Sequence, residues 1–306
     1  MHSRPHYKEY AMKALFVFSL TLAFSMITLP VAAQEDFSDV EFEVTQVSGN
    51  VWALISGRGG NIGVSIGDDG TFIVDDQFAP LTDKIVAAIA GLTDKPVSFV
   101  ANSHFHYDHT DGNENFGSQG ALIVAHHNAR MRMATHQVLS GSNRPQPPYQ
   151  EVGLPKITFD ESMQFHYNGN TIDLLHLGPA HTDGDAVYYF RDANVVHTGD
   201  MFVRYGLPYI DVGNGGSHDG MIDACWELAG IIDEETIIIP GHGQLSTRTD
   251  LLEYRAMLMT IRDRVKDLIA EGRTIDQIIA SNPARGFAEP GPGTEEWLRV
   301  AHEQWK

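Results

Sequence analysis

The chain has 306 residues, 42% of them hydrophobic, and a formal net charge of −19. That hydrophobic share is ordinary for a globular protein, and the length suits one large domain or two small ones. The negative balance disfavours a polyphosphate partner, and a single cysteine, Cys225, excludes both an intramolecular disulfide and a zinc–thiolate cluster.

In chain order, the first expected element is a targeting segment. Lys13 precedes an apolar run over residues 14–27, and Val31-Ala32-Ala33 offers the small residues that a signal peptidase reads, so cleavage is expected after Ala33. The run is short for a bilayer span, and nothing later is long and apolar enough to make one. Removing residues 1–33 takes away Arg4, Lys8, Lys13 and Glu9, which moves the net charge from −19 to −21. The expected product is a periplasmic or secreted domain over residues 34–306, with no nucleic-acid partner and no stable membrane insertion after cleavage. Its oligomeric state is not encoded in these patterns.

Phe42, Val44 and Val47 alternate, as do Val51, Ala53 and Ile55, which predicts two strands joined at Gly49-Asn50. A turn-rich loop, Gly57-Arg58-Gly59-Gly60-Asn61, leads to a strand over 62–66, and Gly67-Asp68-Asp69-Gly70 turns into a strand over 71–74. Asp75-Asp76-Gln77 ends that strand. Leu81, Ile85, Ala88, Ile89 and Leu92 are spaced for an amphipathic helix. Apolar, β-branched runs over 97–101 and 122–125 predict buried strands. His126 and His127 open a helix predicted over 128–139, where they suit surface or capping roles. Residues 140–155, rich in Gly, Ser, Asn and Pro, read as a loop. Strands are predicted over 157–159, 163–167 and 171–177 as parts of a second sheet, continued by 187–190 and 195–196. A helix over 221–232, a buried strand over 236–239 and closing helices over 248–270, 275–280 and 294–305 complete a pattern built about one core.

The stretch after the 97–101 strand concentrates the chemistry. Ser103-His104-Phe105-His106-Tyr107-Asp108-His109-Thr110-Asp111-Gly112 carries four strong metal-binding side chains. In an extended backbone, residues two apart point the same way, so His104 and His106 can hold one ion. Asp108 and His109, where the chain turns, can face a second. Imidazole with carboxylate suits zinc and, less exclusively, manganese or iron.

With its His-x-His-x-Asp-His form, this stretch resembles the signature of the metallo-β-lactamase-fold superfamily of metallohydrolases. Three later segments extend the likeness, which runs from about Val44 to His242: Gly178-Pro179-Ala180-His181-Thr182-Asp183-Gly184-Asp185, His197-Thr198-Gly199-Asp200 and Pro240-Gly241-His242-Gly243. The resemblance implies an α/β fold, a four-layer αββα sandwich. It implies two zinc ions per chain, the first held by His104, His106 and His181, the second by Asp108, His109 and His242, with Asp200 bridging both. It further implies a hydroxide shared between the ions, which attacks an acyl carbon while Asp108 orients it and carries its proton to the leaving atom. An acidic residue at the end of the 71–74 strand would sit beneath the metal loop, as an alternative to a simple strand-end turn.

Redox di-iron relatives typically have Glu at the position of His106, so His106 favours hydrolysis. Asp200 stands where β-lactamases of this fold usually carry Cys or Ser, and other hydrolytic branches have Asp. Arg204 is a candidate to hold a substrate carboxylate, residues 201–209 suit a pocket wall, and His218 is a candidate to approach the site. Three readings stay open: a dinuclear zinc hydrolase of a small ester, thioester, lactone or amide; a metallo-β-lactamase; and a metal-binding protein without turnover.

Overall fold

The computed structural model describes residues 1–2, 36–139 and 144–306. Apart from Met1 and His2, the segment read as a signal peptide falls outside them. All elements below belong to the unit Phe37–Lys306.

The strands are β1 (Glu43–Ser48), β2 (Val51–Ile55), β3 (Ile62–Gly67), β4 (Gly70–Val74), β5 (Val97–Asn102), β6 (Leu122–His126), β7 (Gln137–Leu139), β8 (Arg144–Gln146), β9 (Ile157–Phe159), β10 (Ser162–Tyr167), β11 (Asn170–Leu175), β12 (Val187–Phe190), β13 (Val195–His197), β14 (Ile237–Ile239) and β15 (Ser246–Thr247). One sheet has the order β1-β2-β3-β4-β5-β6-β9, the other β10-β11-β12-β13-β14-β15, and β7-β8 form a separate hairpin. The helices are α1 (Thr82–Ala90), α2 (Tyr107–Thr110), α3 (Asn113–Ser118), α4 (His127–Met133), α5 (His218–Ile231), α6 (Arg248–Ala270), α7 (Ile275–Ala280) and α8 (Pro292–Trp305).

Side-chain alternation sorts these elements into four layers. Along β4, Phe72 and Val74 enter a core shared with Ile172, Tyr188 and Phe190 of the other sheet. Ile73 points the opposite way and packs with Ile85 and Ile89 of α1. The second sheet behaves alike: Val195 faces inward, while Val196 and Ile238 meet Leu228 of α5, Leu258 of α6 and Leu298 of α8. Both faces of each sheet are therefore apolar, and helices must cover the outer faces. This is the αββα sandwich.

Strands β4, β5, β6 and β9 run parallel, as do β13 and β14. The loops leaving β4, β5, β13 and β14 thus emerge at one end of the two sheets. All the metal-ligand candidates lie on those loops or on the loop entering β12.

Two local expectations are corrected. The helix predicted over 128–139 stops at Met133, where the Thr135 hydroxyl donates to the Met131 carbonyl at 2.8 Å and closes the last turn. Residues 137–139 instead pair with Arg144–Gln146, inside the stretch read as a loop. Ile157–Phe159 joins the first sheet, parallel to β6 and not to the second-sheet strands. Its apolar run marks a strand but carries no information on its neighbour. Closing helices α6 and α7 have the predicted bounds, and the capping boxes at Thr247 with Asp250 and at Thr274 with Gln277 explain why.

Candidate metal centre

The metal loop is built from beneath. Parallel strands β4 and β5 end side by side, with Val74 opposite Ala101. Asp75, next in line, adopts a left-handed backbone at φ 64°, an arrangement costing a non-glycine residue about 1 kcal/mol or more. This turns its buried carboxylate under the loop. There, Oδ1 accepts the Ser103 N–H at 2.7 Å. Oδ2 accepts the Ser103 hydroxyl at 2.7 Å and faces His109 Nδ1 at 2.7 Å. His104 Nδ1 lies 3.0 Å from the same hydroxyl. His106 Nε2 lies 3.0 Å from Asp211 Oδ2, which also accepts from Asn214 at 2.7 Å.

The later ligand candidates are held in the same manner. Asp185 folds back over the turn before β12 and accepts the His181 N–H at 2.6 Å and the Thr182 hydroxyl at 2.6 Å. Burial lifts this carboxyl to about 7 against those hydrogen bonds. His181 Nδ1 donates to the Tyr209 carbonyl at 2.7 Å. Asp200 occupies a 3-10 turn, Gly199–Met201, so close to the last loop that a Cβ on Gly241 would stand 2.1 Å from Asp200 Oδ1. The absence of that Cβ lets the two loops meet.

Anchored by their outward nitrogens, the imidazoles turn the others inward. His104, His106 and His181 form one triad; Asp108, His109 and His242 form another; His104, His109 and Asp200 form a third group between them. His181 Nε2 faces His106 Nδ1 at 2.8 Å, and His109 Nε2 faces His242 Nε2 at 3.2 Å. Asp200 reaches both sides: Oδ1 is 3.2 Å from His109 Nε2 and 3.4 Å from His242 Nε2, while Oδ2 is 3.6 Å from His181 Nε2.

The two triads differ electrostatically. Burial and three neighbouring imidazoles hold His104 well below the ordinary histidine range. Burial likewise brings His181 down to about 4, with His106 helping and Asp200 opposing. Around His109 and His242 burial pulls the same way, but nearby carboxylates outweigh it. Asp200, Asp75 and Asp108 raise His109 well above its usual value, and Asp200 and Asp108 lift His242 to about 9. In return, despite burial, His109 and His242 bring Asp108 down to about 2.

The donor set fits a metal. His104 Nε2 is buried and has no hydrogen-bond partner, an uncompensated cost unless a cation takes its lone pair. Imidazole nitrogens and carboxylate oxygens are ligands that zinc accepts. One edge is open: the Asp108 and His242 side chains are 24% and 21% exposed, against 8% for Asp200 and 1% for His181. Tyr205, half exposed, stands beside that edge with its ring 5.7 Å from His242.

Every proposed ligand is thus found in the cluster. Of the supports, Asp75 was legible only as one of two acidic strand-end readings, Ser103 and Asp185 only as members of the quoted segments, and Asp211 and the Tyr209 carbonyl gave no sequence signal. Arg204 is part-exposed and its guanidinium pairs with Asp250 at 3.1 Å. His218, a candidate to approach the site, is instead buried, with Nδ1 2.6 Å from Gln304 Oε1 and its ring 4.9 and 5.3 Å from Trp297 and Trp305. His126 caps α4 by accepting from Asn128 N–H at 3.2 Å, and His127 is exposed.

Comparison with known proteins agrees with this geometry. A family model described as the metallo-beta-lactamase superfamily matches residues 55–245, a span that includes all seven cluster residues. The chain is 31% identical over 74 residues to the probable metallo-hydrolase YqgX of Bacillus subtilis (strain 168), covering 24% of this chain and 33% of that protein. It is 26% identical over 154 residues to hydroxyacylglutathione hydrolase of Pelagibacter ubique (strain HTCC1062), covering 49% and 54%. It is 24% identical over 156 residues to 2,4-dinitroanisole O-demethylase subunit alpha of Nocardioides sp. (strain JS1661), covering 50% and 44%. The chain therefore spans between a third and about half the length of these relatives. Among solved structures, a metallo-beta-lactamase from Pontibacter korlensis superposes with a TM-score of 0.60 at 18% identity, covering 72% of this chain and 99% of that one. The DIM-1 metallo-beta-lactamase does so at 0.57 and 21%, covering 72% and 98%. With its four layers, its His-x-His-x-Asp-His loop and a family match across every cluster residue, the chain belongs to the metallo-beta-lactamase superfamily.

Proposed function

We propose that this protein is an exported dinuclear zinc hydrolase that cleaves a small ester, thioester, lactone or amide. The carrying observation is Asp200, whose two oxygens reach toward both triads, 3.2 Å from His109 and 3.6 Å from His181. A shared carboxylate between two neighbouring ligand sets, open to solvent on one side, suits catalysis better than a closed structural site. In this reading His104, His106 and His181 hold the first ion, Asp108, His109 and His242 the second, and Asp200 both.

Bound zinc would supply Lewis acidity toward an acyl oxygen and lower the pKa of water towards roughly 7. The chain supplies the rest. Asp108 stands at the open edge, its Oδ2 3.4 Å from His242 Nε2, where it can orient the attacking water and pass its proton to the leaving atom. Tyr205 gives that edge an aromatic wall. The thioester option draws on the likeness to hydroxyacylglutathione hydrolase. Export rests on Lys13, the apolar run over 14–27 and Val31-Ala32-Ala33.

A β-lactamase reading shares the same cluster; its candidate for holding the β-lactam carboxylate, Arg204, is paired with Asp250 at 3.1 Å. The deciding experiment is a panel of nitrocefin, aryl esters, lactones and acyl-glutathiones, run beside elemental analysis. Close to two zinc ions per chain is expected, with clear turnover of an ester, thioester or lactone and weak or absent nitrocefin hydrolysis. Nitrocefin turnover with kcat/KM near the 10⁴–10⁸ M⁻¹s⁻¹ typical of enzymes would favour the β-lactamase instead. One iron per chain would remove the zinc assignment.

A further inference from the structure

The Asp108, His109 and His242 triad draws on two distant loops, and one dipeptide is bonded to both of them. Gly60-Asn61 enters β3. The Gly60 N–H donates to the Asp108 carbonyl at 3.0 Å, and its own carbonyl accepts from Gln77. A Cβ on Gly60 would stand 2.2 Å from the His109 ring, so the backbone lies directly against that imidazole.

Asn61 is 1% exposed. Its N–H donates to the Gly241 carbonyl at 2.7 Å. Its two amide protons go to the Pro240 carbonyl at 2.9 Å and the Gly243 carbonyl at 2.8 Å. Its carbonyl accepts from His197 Nε2 at 2.9 Å, three residues before Asp200. The bonds to residues 240, 241 and 243 bracket His242 in sequence. None reaches His104, His106 or His181, which are held by Ser103, Asp211 and the Tyr209 carbonyl.

We infer that Asn61 is a positioning residue for His242, and that it sets the second metal position, formed by Asp108, His109 and His242, separately from the first. This rests on the dinuclear reading. A buried side chain that satisfies two loop carbonyls fixes the loop's path, and removing its donors leaves those carbonyls unpaired. His242 then loses its register against His109 while the three-histidine set keeps its supports.

The test uses the purified full chain as wild type, Asn61→Asp and Asn61→Ala. Asn61→Asp is isosteric but turns an acceptor toward two carbonyls; Asn61→Ala removes the donors without adding charge. Asn170→Asp is the control, because Asn170 is also a buried amide, bonded to Asn50 at 2.7 Å in the turns at the other end of the sheets. Zinc per chain is measured under graded chelator, cobalt(II) is titrated by its visible spectrum, and thermal unfolding reports folding. Wild type is expected to hold two ions. Both Asn61 variants should fold and fall to close to one, with the second ion's affinity lowered roughly 10–100-fold and the first ion's unchanged. Asn170→Asp should lose stability and keep two ions.

Retention of two ions at wild-type affinity in both Asn61 variants overturns the inference. So does loss of both ions together, in step with lost stability. Failure of both variants to fold overturns it too, since Asn61 would then be a determinant of the fold. Fewer than two ions in wild type would sink the dinuclear reading itself, and is distinguished by that arm alone.

Discussion

Asp75 holds His109 by the nitrogen that points away from the cluster: Oδ2 lies 2.7 Å from Nδ1, and both side chains are fully buried. The carboxylate fixes both the ring's orientation and its tautomer, and leaves Nε2 facing the cluster. Its backbone, at φ 64°, favours glycine on conformational grounds. Asp75→Gly therefore separates two effects, since glycine accepts the backbone without strain yet brings no carboxylate. Zinc affinity at the second position should fall roughly 10–100-fold in Asp75→Gly and in Asp75→Ala alike. Chelator competition showing wild-type affinity in Asp75→Gly would mean that the carboxylate is dispensable.

Asp108 should matter more to turnover than to substrate binding. It is the most exposed of the cluster carboxylates, and its neighbouring imidazoles bring it down to about 2, so it is ionised throughout the neutral range. Asp108→Asn removes the proton acceptor with little change of shape. On whichever substrate the panel identifies, kcat should fall roughly 10²-fold or more, with KM changed much less. Near-normal kcat with both ions retained would remove Asp108 from proton transfer.

Asp200→Ala should cost an ion. In the dinuclear reading the carboxylate offsets charge on both sides, so its removal would leave two cations facing each other with less compensation. Elemental analysis should find close to one zinc per chain. Two ions in this variant would show that Asp200 does not bridge.

His218 gives the fold an acid limit that does not involve the metal cluster. Burial brings its imidazole down to about 4, against partial support from Gln304 and Asp219. The folded protein thus keeps His218 neutral where the unfolded chain, near 6.5, already binds a proton. Stability from this group is complete above about 6.5 and is lost as the pH falls toward 4, by on the order of 3 kcal/mol. Thermal unfolding between pH 7 and 4 should therefore decline more steeply for wild type than for His218→Gln. Parallel declines would assign the acid limit to other groups.

The candidate ligands were legible because metal chemistry restricts residue type and the loop after β5 packs four of them into six positions, 104–109. His181, Asp200 and His242 followed from the resemblance, not from spacing. The strands and long helices were legible where local periodicity matched a cap or a turn, as at Thr247 with Asp250. What escaped depends on pairing at a distance. Asp211 supports His106 from 105 residues away, and no local pattern distinguishes it from other acidic residues. Ile157–Phe159 reads equally well as a strand of either sheet until its register with β6 is known. Arg204 reads as a substrate clamp in sequence, and its pairing with Asp250, in the first turn of α6, is again a contact between distant positions.

The anchors differ in one respect that bears on mutational drift. His106 and His109 depend on the side chains of Asp211 and Asp75, whereas His181 is held by a main-chain oxygen, that of Tyr209. Every amino acid has that oxygen. The Tyr209 ring stands 5.7 Å from His181 and 5.9 Å from His106, flanking the cluster without supplying its anchor. The aim of His181 therefore does not depend on which side chain stands at position 209.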